Sequence, residues 1–186
     1  NCFSGSFPSN VCNAAKLNNL VIAGLSASKS CSRNYWQGTA FSTVFNGFGV
    51  QHFVVGTLPQ CIYSMPNITT VHAAGNFFLG EAPFSGEDKS GLKISPLLGD
   101  INVARNRLTG YISPQLVTAA TSAGKLRSLD LSYNRIGGNL SIFSDNAETF
   151  VNSASPLHLH LQVNYLSGDI PAPLLPLNSI SILAGN

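Results

Sequence analysis

Leu126-Arg127-Ser128-Leu129-Asp130-Leu131-Ser132-Tyr133-Asn134-Arg135-Ile136-Gly137-Gly138-Asn139-Leu140 is the stretch that decides the fold. Leu129 and Leu131 flank Asp130, an alternation that reads as a short strand with one buried face. Asn134 offers both a donor and an acceptor, so it can satisfy buried backbone where the chain leaves that strand. Gly138 permits the turn that follows.

The pattern recurs. Asn164-Tyr165-Leu166-Ser167-Gly168-Asp169-Ile170-Pro171 gives its second half, and Pro171 suits an irregular or 3₁₀ return path because it ends strand pairing. Asn76 anchors another copy (Ile68, Val71, Ala73, then Phe78, Gly80, Ala82, Pro83), as does Asn106 (Leu98, Ile101, Val103, then Leu108, Gly110, Ile112). Asn1 opens a partial copy with Phe3, Gly5, Phe7 and Pro8, and Asn186 closes one. Two degenerate copies put Leu25 in the Asn slot after Leu17, Leu20 and Ile22, and His52 in it before Val54, Gly56, Leu58 and Pro59. Anchors at 1, 25, 52, 76, 106, 134, 164 and 186 describe about seven repeats of roughly 24 residues with loop insertions. The extra residues fall near 84–97, 113–125 and 141–156, on the convex or flanking side. No such repeat buries its leucines alone, so neighbours must stack into a solenoid whose ends need caps. The chain starts on one anchor and stops on another without caps, so it is expected to be a single solenoid segment, 1–186, of a longer protein or to have its ends covered by other subunits.

Composition fits a packed, weakly charged molecule. Apolar residues make up 44% and mean hydropathy is +0.18, enough to fill a core. Charged residues are only 10%, against roughly 25% in an average domain. A net charge of +2 without a basic cluster excludes the electrostatic footprint of a nucleic-acid binder. No apolar run reaches the ~18 residues of a membrane span. Cys2, Cys12, Cys31 and Cys61 contain no Cys-x-x-Cys pair, which favours disulfides over zinc. Sequons at Asn67-Ile68-Thr69 and Asn139-Leu140-Ser141 agree with a secreted or cell-surface protein carrying N-glycans.

Asn134 to Leu140 and Leu166-Ser167-Gly168-Asp169-Ile170-Pro171 resemble the plant-type leucine-rich repeat, L-x-x-L-x-L-x-x-N-x-L-x-G-x-I-P. The resemblance covers nearly the whole chain and is weakest at 26–51. It implies a leucine-rich-repeat solenoid with a parallel β-sheet on the concave face and an irregular or 3₁₀ convex side. Members of that family include plant receptor ectodomains, inhibitors of cell-wall enzymes and surface proteins of algae and other protists. The uneven repeat lengths look more like the algal and protist examples than the regular land-plant ones.

In such a fold the ligand-facing positions lie four and two residues before each anchor. The first column reads Val21, Phe48, His72, Asn102, Asp130, His160 and Ile182; the second reads Ala23, Val50, Ala74, Ala104, Ser132, Gln162 and Ala184. From these, Phe48, His72, Asn102, Asp130, His160 and Gln162 are the candidate binding residues, with Asn76, Asn106, Asn134 and Asn164 as a structural ladder. His158 and His160 alternate on one strand beside Asp130, a spacing that could hold a divalent metal, although a solvated imidazole and carboxylate pair is the plainer reading. Ser132 or Ser128 with those groups lacks the nucleophile elbow of a hydrolase, so neither catalysis nor a cofactor is expected. An irregular insertion at about 26–58 holds Tyr35, Trp36, Phe41, Phe45, Phe48 and Phe53. It is either a small aromatic core or a docking patch led by Tyr35 and Trp36. A Cys31–Cys61 bridge would pin it, leaving Cys2–Cys12, with Cys12–Cys31 as the alternative.

The functional expectation is an extracellular interaction or adhesion module for a protein or glycan. A structural subunit of a surface filament, wall or matrix is the alternative, and family analogy adds inhibition of a secreted hydrolase as a third.

Overall fold

The computed structural model describes residues 5–24, 54–83, 85, 93–121, 125–146, 157–175, 177, 179–182 and 184–186. Among the described residues there are eleven short strands and one α-helix, all strand pairing being parallel. Six strands form the main sheet, in the spatial order β2 (Asn19–Val21), β4 (Thr70–His72), β6 (Asp100–Asn102), β7 (Ser128–Asp130), β9 (His158–His160) and β11 (Ser179–Ser181). A second, flanking sheet joins β1 (Gly5–Ser6), β3 (Val54–Thr57) and β5 (Phe77–Leu79). Single bridges from Glu81 to Thr109 and from Tyr111 to Gly137 continue it to β8 (Gly137–Asn139) and β10 (Tyr165–Ser167). Each coil with both halves among the described residues therefore contributes one segment to each sheet.

The main sheet is built by the alternation read from sequence. Leu20, Val71, Ile101, Leu129 and Leu159 are in register and all point inward. Burying five such side chains contributes of the order of 10 kcal/mol before entropy is subtracted. The return path supplies the other wall of the core. Five-residue 3₁₀ segments at Ser9–Asn13 and Gln60–Ser64, and a longer one at Leu140–Asn146, line one side, with Ile62 and Phe143 fully buried. Where extra residues were expected after Ile112, the helix α1 (Pro114–Thr121) forms. Ser113 caps it through Oγ, which accepts the Leu116 N–H at 3.1 Å, and Pro114 occupies the position where a missing N–H costs nothing. Leu116 and Val117 then reach the core.

The asparagine ladder repeats one hydrogen-bonding scheme from coil to coil. Asn106 Nδ2 donates to Ala73 O in the preceding coil (2.9 Å) and Val103 O in its own (2.9 Å), while its Oδ1 accepts the Phe78 N–H (3.1 Å). Asn134 and Asn164 repeat the scheme one and two coils on. Asn76 makes the same donations, to Ile22 O and Ala73 O, but its buried Oδ1 has no donor among the described residues. The residue before each of these asparagines is left-handed. At Gly75 this is unstrained, whereas Arg105, Tyr133 and Val163 hold φ of 55°, 55° and 57°. Gly110 shows the other glycine requirement: φ is +87° and a Cβ would overlap the buried Ser85 side chain, whose Oγ accepts the Tyr111 N–H at 2.6 Å.

Four expectations are corrected. The Leu25 and His52 copies are two halves of one coil: Val21 pairs directly with His72, and the Ile22 N–H donates to His72 O at 2.8 Å, so no strand separates them. The insertion does not extend to 58, because Val54–Thr57 is a regular strand between β1 and β5 and Leu58 is buried. Cys61 bonds to Cys12 rather than to Cys31, and Cys12 is thereby unavailable to Cys2 or Cys31. Pairing of Gly5 with Val54 stacks the Ser9–Asn13 segment on Gln60–Ser64, which brings the two cysteines to a Cα separation of 5.9 Å across 49 residues of chain. Finally, Ser181 pairs with His160, one residue earlier than the anchor spacing implied; Ile182 turns inward and is buried. Cys2, Leu25, Cys31, Tyr35, Trp36, Phe48, Val50 and His52 lie outside the described residues.

Candidate functional site

The main sheet has one face packed on the core, and its other face carries the candidate site. Because side chains alternate along a strand, the residues on either side of each buried aliphatic must project the other way. The parallel register places Val21, His72, Asn102, Asp130, His160 and Ser181 side by side in one row. A second row, one step earlier on each strand, runs Asn19, Thr70, Asp100, Ser128 and His158. Neighbours within a row are separated by the strand spacing, about 4.8 Å.

The four polar residues expected on this face, His72, Asn102, Asp130 and His160, thus stand in one line on four consecutive strands, each half-buried. Phe48 was expected between Val21 and His72, but those two residues are adjacent, so its place in the row does not exist. Two side chains of the row are braced by their own chain. Asn102 Oδ1 accepts the Ala104 N–H (3.1 Å), and Asp130 Oδ1 accepts both the Ser132 N–H (3.0 Å) and the Ser132 hydroxyl (2.6 Å). His72 Nε2 lies 3.0 Å from Asp100 Oδ2, a cross-strand pair between the two rows. Sequence reading missed Asp100 as a member of the face. Its position, six residues before Asn106, was the available signal.

The column two residues before the anchors is less open than expected. Ala104 and Ser132 are buried, because the chain has already begun its left-handed exit towards the ladder asparagine. Gln162 is half-buried, and its Oε1 is enclosed without a donor. The Ser132 hydroxyl is buried and donates to the Asp130 carboxylate rather than to an imidazole. The metal candidate is not assembled either. Asp130 and His160 are adjacent, yet among the described residues no three His, Cys, Asp or Glu side chains converge to hold an ion.

Elsewhere on the molecule, a cleft of about 470 Å³ lies between residues 93–98 and the start of α1, lined mainly by Ile94, Pro96, Leu98, Pro114 and Ala119. The two sequon asparagines are exposed. Asn67 Nδ2 donates to Ala15 O (2.8 Å), and Asn139 Oδ1 accepts the N–H of Ser141 (2.8 Å). No helix among the described residues is long and apolar enough to cross a membrane.

Residues 125–146 match the leucine-rich-repeat family model. No curated protein matches the chain. Among solved structures, it is similar to the Arabidopsis receptor kinase HAESA in complex with the peptide hormone IDA and the co-receptor SERK1, at 25% identity and a TM-score of 0.64, over 98% of this chain and 24% of that one. It also resembles the leucine-rich-repeat ectodomain of the Arabidopsis receptor kinase SOBIR1 (22% identity, TM-score 0.51, 70% of this chain and 62% of that one). A third likeness is to the plant peptide hormone receptor RGFR1 in complex with RGF2 (22% identity, TM-score 0.53, 95% and 25%). The chain thus spans about a quarter of HAESA and less than two thirds of SOBIR1.

Proposed function

This chain is a leucine-rich-repeat solenoid with plant-type repeats, and from that premise we propose that it is an extracellular recognition module whose exposed sheet face binds a protein or peptide partner. The observation that carries this is the row His72, Asn102, Asp130 and His160. Four polar side chains stand at strand spacing across one hydrogen-bonded sheet, and the residues beneath them are fully packed. Such a row is pre-organised, since its backbone cannot rearrange without breaking the core, and pre-organisation is what a binding face needs. The bracing of Asn102 and Asp130 adds to it. HAESA and RGFR1, both of which share this fold, are seen with peptide hormones bound, which supports a peptide as the partner class. The sequons and the disulfide support a secreted or cell-surface location, and the face is read as one for binding rather than catalysis.

The reading is tested by panning a random peptide library displayed on phage against the chain and against two variants. Clones should lose binding to Asp130→Arg/His160→Glu and keep it with Thr118→Arg on the helix side. Clones that ignore the first variant would place recognition elsewhere. Concentration-dependent self-association abolished by the same face variant would instead favour the structural-subunit reading.

A further inference from the structure

Three of the chain's four histidines stand on the sheet face; the fourth, His52, lies outside the described residues. His72 and His160 belong to the row that carries the proposed recognition, and His158 to the row beside it. Two carboxylates share these rows, Asp100 and Asp130, and neither row holds a lysine or an arginine. Histidine is the side chain that ordinarily changes charge between about pH 5 and 8, while carboxylates stay ionised throughout. With neutral imidazoles the rows therefore carry only their two negative charges. With all three imidazoles protonated, the positive charges outnumber the negative ones.

Register decides where each new proton acts. His72 Nε2 is enclosed and lies 3.0 Å from Asp100 Oδ2, a charge contact rather than an aligned hydrogen bond. His160 stands next to Asp130, whose hydrogen bonds to Ser132 both fall on Oδ1. A proton on either imidazole thus offsets the carboxylate beside it. His158 differs: it is exposed, and its register partners on β7 and β11 are Ser128 and Ser179, neither of them charged. Its positive charge is left over. Around the rows, Lys16 precedes β2, Lys125 and Arg127 precede β7 with the Arg127 side chain beside Gly99, and Arg105 follows β6 and stacks on Tyr133. The register positions on β2 and β11 hold no titratable residue. Lysine and arginine are fixed cations over the same range, so the histidines alone set the change.

We propose that this face is gated by pH: in mildly acidic surroundings it takes an acidic peptide, and near neutrality it repels one. The inference rests on the sheet face being the recognition surface. Near neutrality Asp100 and Asp130 meet an acidic partner with like charge, which is how an interface excludes a wrong partner. On acidification His72 and His160 cancel that repulsion and His158 adds an attraction, so affinity rises as pH falls through the histidine range.

The test pans one phage-displayed peptide library against the whole chain in two arms, at about pH 5.5 and about pH 7.5, between which the Asp and Glu of the displayed peptides stay ionised. Clones from the acidic arm should be richer in Asp and Glu than clones from the neutral arm. As synthetic peptides they should bind about tenfold more weakly at neutral pH, the size of a few exposed charge pairs. Asp100→Asn/Asp130→Asn should admit the same peptides at neutral pH, a gain of binding that misfolding cannot produce, and the amide keeps the acceptor that Ser132 uses. His158→Gln should lower affinity in the acidic arm and leave the neutral arm unchanged. Clones that bind equally in both arms, or no gain by the double variant, would overturn the gate and leave the recognition face standing. Clones that ignore Asp130→Arg/His160→Glu in the acidic arm would overturn the face itself, and the gate with it.

Discussion

Asn134 donates through Nδ2 to the carbonyl of Val103, 3.0 Å away in the preceding coil, and this bond joins two turns of the solenoid that share no covalent link nearby. The same side chain also holds Leu131 O and receives the Leu108 N–H. Removing it leaves the buried Leu108 N–H without its acceptor, while Val103 O and Leu131 O keep the side-chain donors of Asn106 and Asn164. Asn134→Ala should cost about 2 kcal/mol, since one unsatisfied buried group costs ~1–3 kcal/mol. Asn76→Ala should cost roughly 1 kcal/mol less, because Asn76 Oδ1 has no donor to lose. Urea denaturation of the two variants checks the order, and equal losses would contradict it.

The Cys12–Cys61 bridge closes a long stretch of chain between coils that already stack. Cys12→Ser/Cys61→Ser should lower stability by about 2–4 kcal/mol through the freed unfolded chain. Proteolysis under non-reducing conditions followed by mass spectrometry should yield a peptide pair joining these two residues. Recovery of Cys61 linked to Cys31 would refute the pairing.

Val163 is a β-branched residue in a left-handed conformation, next to Asn164. Asparagine tolerates that conformation through its short polar side chain, so Val163→Asn should raise stability by about 1 kcal/mol. Tyr133→Asn, at the equivalent place, should bring no gain because it forfeits the stack with Arg105. Thermal melts of the pair decide between backbone strain and side-chain packing as the dominant effect.

Asn67 and Asn139 are both exposed, and each lies off the main-sheet face, Asn67 ahead of β4 and Asn139 in β8. Expressed through a secretory pathway, the chain should carry a glycan at each. Enzymatic release in heavy-oxygen water should convert both to labelled aspartate, and an unlabelled asparagine at either position would remove that site. Peptides selected on the His72 to His160 row should bind with unchanged affinity after deglycosylation.

What was legible in the sequence is what one coil dictates to itself. Leu129 between Ser128 and Asp130 fixes an inward and two outward directions, and Asn134 five residues on fixes the exit. Those local rules concern one coil at a time and are enough to read Asp130 as outward-facing and Asn134 as the exit. What depended on neighbouring coils was not legible. Leu25 and His52 each satisfy half the pattern, so they looked like two repeats until the pairing of Val21 with His72 showed one. The partner of Cys61 follows from which return paths stack, a relation with no counterpart in residue spacing. The single extra residue between Ser181 and Asn186 likewise changes which side Ile182 faces, and only the sheet register reveals it. Arg105 over Tyr133 joins adjacent coils in the same manner.

The direct pairing of Val21 with His72 has a further meaning for how such molecules diversify. Val21 ends the main-sheet strand of one turn and Val54 begins the flanking strand of the same turn, and each is paired in register with its neighbours. Because closure entropy rises only slowly with length, that junction is a socket: foreign sequence of widely different size can be spliced there at little thermodynamic cost. A protein engineer could graft a reporter or a second recognition element into it, and the stacked turns would serve as the chassis.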